Sequence, residues 1–107
     1  MTQQSACESA RRRYAVELTT MLGKRSGMLT LLFSGEIFTG ILKLMNAENP
    51  VRGHVRPSGE CTMYGTLRTM MRTHAFSAEG VLLPDSLDML LRDEHFGMRL
   101  CGTRKEE

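Results

Sequence analysis

Polar and apolar residues alternate with a period of two along most of this chain, and that pattern restricts it to antiparallel β-structure. The stretch "SGECTMYGTLRTMMRTH" shows it well. Cys61, Met63, Gly65, Leu67, Thr69 and Met71 share one parity and are mostly apolar or small. Thr62, Tyr64, Thr66 and Arg68 share the other parity and are polar. Successive side chains of a strand point to opposite faces, so this stretch reads as a strand with one dry and one wet face.

Short turn signals separate the alternating runs and set their pairing. "RPSGE" places Pro57, Ser58 and Gly59 between Arg56 and Glu60. Pro suits the first turn position and Gly the left-handed one, giving a three-residue hairpin with a bulge. Val55 then faces Cys61, Gly53 faces Met63, His54 faces Thr62 and Arg52 faces Tyr64. Gly35-Glu36 is a Gly-X loop that pairs Phe33 with Phe38, Leu31 with Gly40 and Leu29 with Leu42. Pro84-Asp85 sets Leu82 against Leu87. "LRDEHF" sets Leu91 against Phe96 and Met89 against Met98. A turn at Arg72-Thr73 joins Met71 to His74. The sum is about eight strands in hairpin order, roughly 14–22, 27–34, 37–45, 51–56, 60–71, 74–83, 86–92 and 96–103. Residues 1–13 read as a polar tail or short helix, 14–104 as one β domain and 105–107 as a C-terminal tail.

Gly40, Gly53, Gly65, Gly80 and Gly102 fall inside strands, all with the inward parity. Glycine weakens a strand interior, so its recurrence needs a cause. Strands that coil sharply around a narrow barrel supply one. A meander of this kind has two exposed edges unless it closes. The expected fold is therefore all-β, an antiparallel up-and-down meander closing into a small barrel, with a two-sheet sandwich as the alternative.

The rhythm of "GTL" at 65–67, "FSAEG" at 76–80 and "LCGT" at 100–103 resembles the short bacterial lipocalin-like (calycin-type) β-barrels. The resemblance spans residues 14–104. It implies a barrel with an apolar interior and carries no catalytic residue. The Gly-x-Trp element of lipocalins is absent, since the chain has no Trp.

The expected interior comprises Leu18, Leu29, Leu31, Phe33, Phe38, Leu42, Leu44, Met63, Leu67, Phe76, Leu82, Met89, Phe96 and Met98 and holds no charge. The inward glycines would leave part of it unfilled. A ligand there would be an apolar small molecule, held among Phe33, Phe38, Met63, Phe76 and Met98, with Thr20, Thr69 or His74 fixing a polar end. The competing expectation is a filled core, with those three polar groups at the barrel mouth in water.

No nucleophile elbow, phosphate loop or zinc-protease motif occurs, so no enzymatic activity is expected. Ser86, Asp88 and His95 could be drawn as a triad, but Ser86 and Asp88 point outward. The "DEH" of Asp93, Glu94 and His95 reads as a solvated turn, with no metal and no cofactor expected. Cys7, Cys61 and Cys101 are too scattered for a disulfide framework or a zinc site, and reduced thiols fit a cytoplasmic protein. The start does not read as a secretory leader, so none is expected, and no apolar run approaches the ~18 residues of a membrane span. A net charge of +2 leaves no footprint for nucleic-acid binding. One outer face is dry: Met28, Leu32, Ile37, Ile41 and Met45 form an apolar stripe on the second and third strands. Such a stripe usually marks a contact surface, and homodimerisation through it is expected.

Overall fold

The computed structural model describes residues 9–21, 23–44, 46–68, 73–93 and 97–105. Eight antiparallel strands follow one another around a closed barrel: β1 (Ser9–Thr20), β2 (Gly23–Ser34), β3 (Ile37–Leu44), β4 (Ala47–Val55), β5 (Glu60–Arg68), β6 (Thr73–Leu82), β7 (Ser86–Arg92) and β8 (Gly97–Arg104). Closure comes from β1 pairing with β8, from Tyr14↔Arg104 to Thr19↔Arg99. The sandwich alternative is thereby set aside.

Turn chemistry accounts for the registers that match the sequence reading. Gly35 has φ 64°, while Glu36 stays outside the left-handed region, as a type II′ turn requires. The Gly59 N–H donates to the Arg56 carbonyl and the Arg56 N–H to the Glu60 carbonyl, both at 2.8 Å, with Gly59 at φ 101°. That is the bulged three-residue hairpin. The pairs Val55↔Cys61, Gly53↔Met63, Phe33↔Phe38, Leu31↔Gly40 and Leu82↔Leu87 all form.

Two registers differ from expectation. Leu67, not Met71, pairs with His74, and Leu91 pairs with Met98, not Phe96. Arg72-Thr73 lacks Gly, Asn or Asp, so nothing held a tight two-residue turn there. Each displacement is an even number of residues, so every side chain keeps its face. Asp88 consequently sits opposite Cys101, yet its carboxylate reaches diagonally to Arg99 in a two-pronged pair at 2.6 and 3.0 Å.

Three strands begin four or more residues earlier than read. β1 starts at Ser9, so Arg11, Arg12 and Arg13 belong to a strand paired with Thr30–Leu32 instead of a tail. β2 starts at Gly23, four residues before the expected 27. The Thr20 hydroxyl donates to the Gly23 carbonyl at 2.9 Å, Gly23 takes φ 120° and Thr20 pairs with Gly23, so the reversal lies between these two residues. β4 starts at Ala47 and includes Pro50.

The strands are strongly staggered. A path of paired residues from Ser9 through Ser34, Ile37, His54, Thr62, Glu79, Leu90 and Arg99 returns to β1 at Thr19, ten residues from its start. In an eight-stranded barrel such shear goes with steep strand tilt and an interior about as wide as its own side chains fill. The inward glycines make this possible. A Cβ on Gly53 would run into the Thr62 carbonyl and come within 2.8 Å of the Phe38 ring. On Gly40 it would meet the Thr30 carbonyl and the Leu31 side chain. The neighbouring backbone occupies the space that a side chain would need.

Candidate functional site

The barrel interior holds the sequence-derived ligand residues, and it holds them as core. Phe33, Phe38, Met63 and Phe76 are buried, and Met98 is half-buried. The Phe33 and Phe38 rings lie 5.6 Å apart, tilted by 54°, a favourable aromatic arrangement. Around the wall, large and small residues interleave: Phe33, Phe38, Gly53, Met63, Ala78, Leu91 and Met98 follow one another through paired positions. The glycines do not leave the volume expected of them. The Phe38 ring lies over Gly53, a Leu31 methyl over Gly40 and a Val16 methyl over Gly102.

The polar residues of the interior sit at opposite ends. Near the N-terminus of β1, Tyr14 is fully buried and its hydroxyl donates to the Leu83 carbonyl at 2.8 Å. Arg12 donates to that hydroxyl at 3.3 Å and lays its guanidinium 4.4 Å from the centre of the Phe33 ring. An inward arginine is tolerated because its stem packs and its head reaches the barrel end. The expectation of an uncharged interior fails here. At the other end Asn49 is buried. Its amide donates to the Leu42 carbonyl at 2.9 Å, and its oxygen accepts from the Arg68 N–H at 2.8 Å. The β4–β5 ladder stops at Val51↔Gly65, one residue from Pro50, and the Asn49 side chain continues the bonding past it.

His74 also lies at this end, half-buried, with Nδ1 3.6 Å from the Asp93 carboxylate, whose side chain is only 6% exposed. Asp93 is therefore not the solvated turn residue that "DEH" suggested. Glu94, His95, Phe96 and Thr69 lie outside the described residues. Thr20 serves its own turn through the bond to Gly23. Of the three polar groups meant to fix a ligand, His74 and Thr20 are engaged within the protein. Burial pushes the Cys61 thiol up to about 12, which keeps it protonated and unreactive. Among the described residues no three or more His, Cys, Asp or Glu are grouped to hold a metal ion. No helix among them is long and apolar enough to cross a membrane.

The outer wall is uneven. Leu32, Ile37 and Ile41 are 47%, 63% and 36% exposed, and Met28 is half-buried beside them on β2. Met45 lies outside the described residues. A groove of about 720 Å³ runs along the start of β2, lined in part by Arg25, Met28, Lys43 and Glu48. It lies at the barrel rim, where β2 extends past the end of β3, and takes in both faces: Arg25, Gly27 and Leu44 share the inward parity of Leu29, while Met28 and Lys43 point outward. Across β4–β7 the exposed side chains include Arg52, Tyr64, Arg68 and Arg92.

Comparison with protein-family models, with curated proteins and with solved structures gives no match.

Arg12, Tyr14, Asn49 and Asp93 escaped the sequence reading of the interior. Arg12 was accessible by extending the inward parity of Val16 and Leu18 back through Tyr14. Asn49 and Asp93 carried no such signal, because "NAENP" and "RDEH" have the composition of turns.

Proposed function

We propose that this barrel is a non-enzymatic interaction module of lipocalin-like architecture that works from its outer wall, as a homodimer. The observation that carries this reading is the occupation of the inward glycine positions by Phe38, Leu31 and Val16 side chains. A carrier needs empty apolar volume, whereas here the interior side chains pack against backbone. Function is then left to the surface. The Leu32, Ile37 and Ile41 stripe is the face best suited to a second copy, since one apolar patch can meet itself across a two-fold axis. Free thiols at Cys61 and Cys101 fit a cytoplasmic setting.

A small apolar ligand is the second reading. It is favoured by the half-buried Met98 and the His74–Asp93 pair at one barrel end. Native mass spectrometry of the purified protein and of Ile41→Lys separates the two. The expected result is a wild-type dimer without added mass and a folded monomeric variant. A wild-type monomer, or a dimer that Ile41→Lys leaves intact, overturns the dimer face. A discrete added mass released on denaturation overturns the filled-core reading.

A further inference from the structure

We infer that the outer surface of β4–β7 is a binding face for single-stranded nucleic acid, with Tyr64 as a stacking platform and Arg52, Arg68 and Arg92 as phosphate contacts. This does not depend on the dimer or on the state of the interior.

The near-neutral net charge conceals how the charges are distributed. Lys24 pairs with Glu17, Lys43 with Glu48, Arg56 with Glu60 and Arg99 with Asp88. Among the described residues Arg52, Arg68 and Arg92 pair with no acid, and all three are exposed on one side of the barrel. The strand registers bring them around Tyr64. Arg52 on β4 lies directly opposite Tyr64 on β5, Tyr64 opposite Ser77 on β6, and Ser77 opposite Arg92 on β7. At about 4.8 Å per strand, the two arginines stand roughly 14 Å apart with the ring between them. Arg68 follows Tyr64 on the same face of β5, with Thr66 between them. Glu79 borders the patch on one side, and Glu48, held by Lys43, borders it on the other.

Tyr64 is 42% exposed in the middle of a strand, flanked by cations and hydroxyls. An acidic peptide would use the arginines but gain little from the ring. A single strand uses both, because bases stack on aromatic faces and guanidinium groups recognise phosphates. A duplex keeps its bases stacked on one another and cannot use the ring.

The test is fluorescence anisotropy of a labelled oligodeoxythymidylate across a salt series. Three phosphate contacts to a single strand give a slope of log K against log salt of about −2. Arg52→Gln with Arg92→Gln should reduce it to about −0.7, while Arg99→Gln, which removes a paired cation, leaves it unchanged. Tyr64→Ala should weaken binding roughly five-fold or more without changing the slope, and Tyr64→Phe should restore it. Absence of binding at low salt overturns the inference. So does a slope indifferent to Arg52 and Arg92, equal affinity for a duplex, or displacement of the probe by polyglutamate at matched charge.

Discussion

Cys61 shows how position sets the chemistry of one residue. Its thiol faces inward between Val55 and Gly80 and is buried. Burial holds its ionisation near 12, against about 9 for an accessible thiol. An acid whose ionisation is raised by folding contributes fully while the unfolded chain also keeps its proton. That contribution fades as pH rises through the interval between the two values. The unfolding free energy of the wild type, measured with urea, should therefore fall relative to Cys61→Ala above pH about 9, by up to ~1.4 kcal/mol per pH unit. Parallel curves for the two proteins would show the thiol to be solvated in the native state. The burial of Cys61 was legible from parity alone. The inward Arg12 follows from the same parity once β1 is extended back through Tyr14, but the buried Asn49 and the sheltered Asp93 were not legible, because alternation assigns a face by residue type and these residues break the assignment. Each is accommodated by a partner distant in sequence or a barrel end: Phe33 for Arg12, Leu42 and Arg68 for Asn49, His74 for Asp93.

At the scale of elements, legibility followed turn chemistry. Hairpins closed by Gly35-Glu36 and by Pro57-Ser58-Gly59 could be paired residue by residue from the sequence. The β5–β6 and β7–β8 hairpins lack such a turn, and their registers moved by an even number of positions. The alternation penalises odd slips heavily and even slips hardly at all, so faces were readable where partners were not. The glycines belong to this scale too. Gly53→Ala places a methyl against the Thr62 carbonyl and the Phe38 ring, and should destabilise the barrel by roughly 1–3 kcal/mol. Gly97→Ala, whose methyl would only touch Leu90 at 3.8 Å, should stay within about 0.5 kcal/mol. Thermal unfolding of the two variants checks the contrast; equal melting points would mean that β4 can shift away from β5 at little cost.

At the scale of the molecule, the division of labour lies between an interior that repeats one solution and an exterior that does not. Inside, bulky side chains lie over neighbouring glycines around much of the wall. Outside, Leu32, Ile37 and Ile41 are exposed on β2 and β3, and Arg52, Arg68 and Arg92 are exposed around Tyr64 on β4–β7. The apolar side was visible in the sequence. The cationic side was not, because composition counts charges without saying which of them neutralise each other.

Closure also means that the strands form a ring, in which no strand is first except by where the chain happens to be cut. The cut falls at a short ladder: β1 meets β8 only from Tyr14 to Thr19, whereas it meets β2 along its whole length. The most extensive pairing is thus a local hairpin, and the seam left for last is a brief one. A circular permutant that links the end of β8 to the start of β1 and opens the chain after Met21, an 84% exposed turn residue, reverses this arrangement. It should reach the same barrel, with the same circular dichroism, but refold more slowly in stopped-flow experiments, because its longest ladder now joins its two ends. Equal refolding rates would mean that the β1–β2 hairpin forms after the rate-limiting step.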